Sequence, residues 1–160
     1  MLGMLGSSFV GRADELEDVR RALQTRRLVT LVGEGGVGKT RLAAEAARSM
    51  EPESDRLVWV DLGRVADGHG VRAAFEDALR ADGGPGGFDE LLDRLGPEPA
   101  LVVVDNCEHV TPQAAEHVAL VADRCRGARV LATSRTRLGI PGERVVSLRP
   151  LGLPDRDVLS

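Results

Sequence analysis

Two kinds of apolar pattern alternate along this chain. Residues 27–32, 57–61, 100–105 and 128–133 carry unbroken or nearly unbroken apolar runs, such as Leu101-Val102-Val103-Val104. Runs without period-two alternation suit strands buried on both faces of a parallel sheet. Between them lie stretches in which apolar positions recur at helical spacing, as with Leu16, Val19 and Leu23 among charged neighbours. The spacing predicts helices over 13–25, from the glycine-rich turn after the first strand to about Met50, and over 71–81, 88–95 and 111–125. Residues 143–148 predict a fifth strand. Strand and helix in alternation give an α/β sandwich of three layers around a five-stranded, mainly parallel sheet.

Breakers and caps place the boundaries. Pro52 blocks continuation of the helix that ends near Met50. Asp82-Gly83-Gly84-Pro85-Gly86-Gly87 reads as a loop that interrupts all regular structure, with the most mobile tip of the chain. Thr111 is expected to cap a helix with Pro112 at its first position, and Gly127 to end it. Residues 1–8 read as a disordered or added leader, so the domain is expected over 9–160.

Composition narrows the class. The chain has 160 residues, enough for one domain with its own core. Three Phe, one Trp and no Tyr leave Val, Leu and Ala to build that core. A net charge of −4 and the lack of aromatic stacking platforms argue against direct nucleic-acid binding. Cys107 and Cys125 make neither a disulfide framework nor a zinc spacing, and they fit a reducing, cytoplasmic location. The three histidines share no metal-ligand spacing. The N-terminus does not read as a signal peptide, and no apolar stretch reaches the length of a membrane span.

The chemistry is concentrated at Gly33-Glu34-Gly35-Gly36-Val37-Gly38-Lys39-Thr40, which fits G-x-x-x-x-G-K-[ST], the phosphate-binding P-loop, between a predicted strand and a predicted helix. Gly35, Gly36, Val37 and Gly38 can turn backbone N–H groups toward one anion, and the helix opening at Lys39, Thr40 and Arg41 adds its positive end. Lys39 is expected to reach the β- and γ-phosphates and Thr40 to ligate Mg²⁺. Lys39 is the only lysine among 21 basic residues, so the compact ammonium stands at the one place such a loop uses it. Gly33, Gly35 and Gly38 also match the dinucleotide fingerprint G-x-G-x-x-G. That reading expects an acid about 20 residues on, whereas Asp61 lies 23 residues after Gly38, and it has no use for Lys39-Thr40.

A nucleotide site also needs an acid near the metal. Four apolar residues ending in Asp105 supply it in the Walker-B pattern, with Asp105 holding Mg²⁺ through water. The next position, where many ATPases carry an acid, is Asn106, which can orient a water but cannot take its proton. Glu108 is either the substitute base or a solvated loop charge. Arg135, at the end of the fourth strand, is either a γ-phosphate sensor or a surface arginine. His109 and Cys107 read as packing residues. Turnover is expected to be slow, which suits a switch.

These motifs, in this order, resemble the nucleotide-binding domain of STAND-class P-loop ATPases, the NB-ARC-like group. The likeness is strongest to the ATPase domains of large actinobacterial regulators of the antibiotic regulatory protein type, and of LuxR-type regulators. Phe9-Val10-Gly11-Arg12 resembles the family's opening motif, which implies adenine contact by Val10, Gly11 and Arg12. Phe9-Val10 could equally staple the first helix. Asp105-Asn106-Cys107-Glu108-His109 resembles the D-N-x-E-H form of Walker B, and Thr133-Ser134-Arg135 the sensor-1 segment. Pro150-Leu151-Gly152-Leu153-Pro154 resembles the G-L-P motif, whose proline, here Pro154, packs on the base. The resemblance implies a P-loop NTPase fold with sheet order 2-3-4-1-5. It also implies an ATP/ADP switch that forms homo-oligomers with ATP in the full-length protein, and DNA contact only through a further domain. On that likeness the chain is expected to be a piece of a larger multidomain regulator. A module that binds nucleotide without hydrolysing it, and a small-molecule kinase, are the alternatives. The absence of a second lysine for N-K-x-D guanine recognition disfavours a GTPase.

Overall fold

The computed structural model describes residues 12–50 and 56–150. Expectations for residues 1–11, for Pro52 and for residues 151–160, among them Val10, Gly11 and Pro154, lie outside the described residues. Among the described residues eleven elements follow one another, in chain order α1 (Ala13–Thr25), β1 (Leu28–Val32), α2 (Lys39–Ser49), β2 (Arg56–Asp61), a short 3₁₀ turn (Gly68–Gly70), α3 (Val71–Gly83), α4 (Phe88–Leu95), β3 (Ala100–Asp105), α5 (Thr111–Arg124), β4 (Ala128–Ser134) and β5 (Arg144–Ser147).

The strands form one sheet in the order β2-β3-β4-β1-β5, with every pairing parallel. Successive side chains of a strand point to opposite faces, so each apolar run feeds two cores. Val58, Val60, Val102, Val104, Val130 and Ala132 face α3, α4 and α5, where Phe75, Leu79, Leu92 and Val118 meet them. Val29, Leu31, Leu101, Val103 and Leu131 face α1 and α2, against Val19, Leu23, Leu42 and Ala46. All six residues of β3 are buried, which explains the unbroken apolar run that predicted it. Burying one such side chain is worth roughly 1.5–3 kcal/mol.

Two boundary expectations are corrected. Helix α3 continues through Asp82 and Gly83 instead of breaking there. The left-handed turn that stops it falls on Gly84, at φ 82, whose N–H donates to the Arg80 carbonyl. Thr111 is not the cap of α5. Val110 occupies that position, and Thr111 turns its hydroxyl back to donate to the carbonyls of Cys107 and Glu108. A threonine in the first turn can serve the preceding loop as readily as the helix.

The topology puts the C-terminal ends of β1, β4 and β3 side by side. Helix α2 starts above β1, and the loops after β3 and β4 flank it. Chemistry is expected at this edge of a parallel sheet.

Candidate functional site

The loop between β1 and α2 runs Gly33 to Gly38. Gly36 and Gly38 have φ of 79° and 98°, which a side chain would strain, and Gly38 leads directly into α2. A Cβ on Gly35 would sit 2.8 Å from Nη2 of Arg135. The loop is therefore an open backbone cradle with its amides at a helix N-terminus, and Arg135 lies against its crest. Val37 is buried beneath it.

Lys39 is 6% exposed. Its ammonium donates to the Gly33 carbonyl at 2.6 Å and to that of Glu34 at 3.1 Å, and pairs with Glu108 at 3.6 Å. The hydroxyl of Thr40 donates to both carboxylate oxygens of Asp105, at 3.0 and 2.9 Å. Asp105, 2% exposed at the end of β3, also accepts from Thr133 Oγ1 at 2.5 Å and from Asn106 Nδ2 at 3.2 Å. Three side-chain donors thus hydrogen-bond this buried carboxylate, which lowers the cost of burying its charge. Thr133 Oγ1 in turn accepts from the Asn106 N–H at 2.9 Å. Strand β4, lying between β1 and β3, thus wires the acid to its own end.

Glu108 has a second oxygen, Oε2, buried and without a hydrogen bond. Cys107 is fully buried. Burial, with the charges of Glu108 and Asp105, pushes its thiol up to about 12, so it is a packing group and no nucleophile. His109 sets Nε2 3.0 Å from the Val65 carbonyl, which fits the packing reading. Arg12 is buried, with one guanidinium nitrogen donating to the Val37 carbonyl at 2.5 Å and another pairing with Glu15 at 2.6 Å. It braces the loop from below. Arg41 is exposed on the first turn of α2.

The structure thus brings Gly35, Gly36, Val37, Gly38, Lys39, Thr40, Asp105, Asn106, Glu108 and Arg135 together, with Arg12 behind them. Two contributors escaped the sequence reading. The sequence places Thr133 only within the sensor-1-like segment that ends the fourth strand, and Asp61 only as an acid too far along for a dinucleotide. A hydroxyl residue two places before a strand-end arginine was the available signal for Thr133.

A nucleotide with Mg²⁺ fits these residues. The space over Gly36 and Gly38 is open, with nothing within 4 Å of where a Cβ would stand, and a hydroxyl beside a carboxylate is the hard-oxygen pair that Mg²⁺ takes. Among the described residues, no group of three or more His, Cys, Asp or Glu could hold a metal by itself, and no helix is long and apolar enough to cross a membrane.

Comparison with known proteins gives the same direction. The family model described as "AAA ATPase domain" matches residues 8–137. An uncharacterized protein of Mycobacterium tuberculosis is 36% identical over 150 residues, covering 92% of this chain and 38% of its own length. A second M. tuberculosis protein, provisionally named an HTH-type transcriptional regulator, is 37% identical over 142 residues, or 88% of this chain and 16% of its own. The chain therefore spans well under half of these relatives. Among solved structures, a STAND protein with a tetratricopeptide repeat sensor from Pyrococcus horikoshii aligns with TM-score 0.51 at 28% identity, over 88% of this chain and 23% of that one. Cdc6p from Pyrobaculum aerophilum aligns with TM-score 0.65 at 16% identity, over 87% of this chain and 45% of that one, a likeness of fold.

Proposed function

This chain belongs to the AAA ATPase domain family, and on that premise we propose that it is an ATP/ADP-binding switch with slow Mg²⁺-dependent ATPase activity, controlling the oligomerisation and activity of a cytoplasmic bacterial transcriptional regulator. The observation that carries the reading is the Thr40 hydroxyl on the Asp105 carboxylate, beside Lys39 at the head of α2. Thr40 and Asp105 would hold Mg²⁺, which neutralises phosphate charge when bound. The amides of Gly35 to Thr40 and the Lys39 ammonium would bind the phosphates. Arg135, at the crest of the cradle, would sense the third phosphate, and Asn106 and Glu108 would orient the attacking water. Arg12, with Val10, Gly11 and Pro154, would set the base. Arg41 would flank the phosphates from the first turn.

The regulatory part of the reading is supported by the named regulator among the relatives and by the STAND protein among the structures. In it, residues 9–160 are the nucleotide domain of a larger chain of the antibiotic-regulatory type. DNA is reached through another domain, and ATP favours a homo-oligomer.

Calorimetry tests the nucleotide claim. Wild-type chain is expected to bind Mg-ATP, and Lys39→Ala to abolish the binding signal. Unchanged affinity in Lys39→Ala sinks the assignment. A second reading, binding without hydrolysis, is favoured by an amide in place of an acid at Asn106. Single-turnover phosphate release, with Glu108→Gln as control, separates the two. No release above background leaves the binding module.

A further inference from the structure

Asn106 is the only non-glycine residue with positive φ among the described residues, at 63°. Such a conformation persists only where surrounding contacts hold it. One of them is the N–H bond to Thr133. The other is at the side chain, where Nδ2 lies 3.2 Å from Asp105 Oδ2 and 3.3 Å from Asp61 Oδ1. Both neighbours are carboxylate oxygens and only accept, so the amide must present its NH₂ to them. Asp61 stands opposite Asp105 in the β2–β3 register. Its Oδ1 also accepts from the Gly63 N–H at 2.8 Å, a second contact that holds the same carboxylate oxygen in place. The chain passes so close that a Cβ on Gly63 would lie 3.0 Å from both Asn106 Nδ2 and Asp61 Oδ1. A glycine there leaves the pair room.

We propose that Asp61 is a positioning residue of the ATPase site, holding the Asn106 amide so that its Oδ1 faces the site as a hydrogen-bond acceptor for water. The inference rests on the function proposed above. With both NH₂ hydrogens committed to Asp61 and Asp105, Oδ1 is the one end of the amide left to act. It can accept from a water and aim one of that water's lone pairs, while the proton must go elsewhere. Asp61 acts through Asn106 and needs no contact with substrate. Its role depends on an acceptor oxygen and not on a negative charge.

That distinction makes it testable. In single-turnover assays Asp61→Ala is expected to slow phosphate release roughly tenfold, the scale of losing one orienting contact, while ATP affinity by calorimetry stays unchanged. Asp61→Asn keeps an acceptor and is expected to restore most of the rate. A general base would not be rescued. Asn106 is the sole asparagine of the chain, so asparagine-selective ¹⁵N labelling yields one side-chain NH₂ pair. That pair is expected to shift in Asp61→Ala and to stay near its wild-type position in Asp61→Asn, with or without nucleotide. An Asp61→Ala chain that matches wild type in rate or in amide signal overturns the inference, as does Asp61→Asn as slow as Asp61→Ala. Wild-type chain that fails to bind ATP while the amide pair still responds overturns the proposed function instead, and the catalytic sense of the clamp with it.

Discussion

Glu143 has 1% of its side chain exposed, and every part of its carboxylate is used. Oε2 accepts from the Thr30 hydroxyl and from the Leu138 N–H, both at 2.7 Å, and Oε1 accepts from the Gly139 N–H at 3.0 Å. The loop after β4 is thereby pinned to the middle of β1. Removing the carboxylate would leave the part-buried Thr30 hydroxyl and Leu138 amide without this partner, while the exposed Gly139 amide can turn to water. Glu143→Ala is expected to lose about 3 kcal/mol of stability in urea unfolding, and a loss below about 1 kcal/mol would show that water takes over these donors. Nothing adjacent to Glu143 announces this role. Its partner Thr30 is 113 positions away, and Asp61 and Asn106 are 45 apart. Lys39, Thr40 and Asp105 were legible because a fixed local spelling carries their chemistry. Thr133, Asp61 and Glu143 were not, because theirs arises only once the strands are adjacent.

The elements themselves were readable to within a residue or two, since burial on both sheet faces writes itself into unbroken apolar runs. Both misreadings turn on local hydrogen bonding. At Gly83 the sequence offers two adjacent glycines and hydrogen bonding stops the helix at Gly84, while at Thr111 the hydroxyl is drawn back to the Cys107 and Glu108 carbonyls and Val110, with no capping side chain, holds the boundary. Burial and pairing also rank the elements by how readily they open. Strand β3 is buried throughout and bonded on both sides, while β5 has four residues, pairs only with β1 among the described residues, and buries only Val146 fully. Native-state hydrogen exchange is expected to protect β3 and β4 most and β5 least. Equal protection of β5 and β3 would mean that the sheet opens only as a whole.

At the scale of the whole molecule, both cysteines are sealed in the core under α4 and α5. Burial raises the Cys107 thiol to about 12 and the Cys125 thiol to about 11, from an ordinary 9.0. Below pH 9 both states of the chain keep these protons, and stability is untouched. Above it the unfolded chain releases them while the folded chain cannot, so stability falls as pH rises through the window from about 9 to about 12. Cys107→Ala is expected to flatten that fall, measured as thermal midpoint against pH. Parallel slopes for variant and wild type would rule the thiol out as its cause. The sheet order, with β4 between β1 and β3, was expected only from resemblance, since no local pattern encodes which strand lies beside which.

Lys39 carries a last consequence. Its ammonium already donates to two carbonyls of its own loop and is ion-paired with Glu108. A phosphate entering the cradle takes a place in an occupied coordination shell, so what it gains is the difference between two sets of contacts. Affinity lost in Lys39→Ala therefore understates the pull between this cation and phosphate. The missing part is what the loop and Glu108 give up when they let the ammonium go.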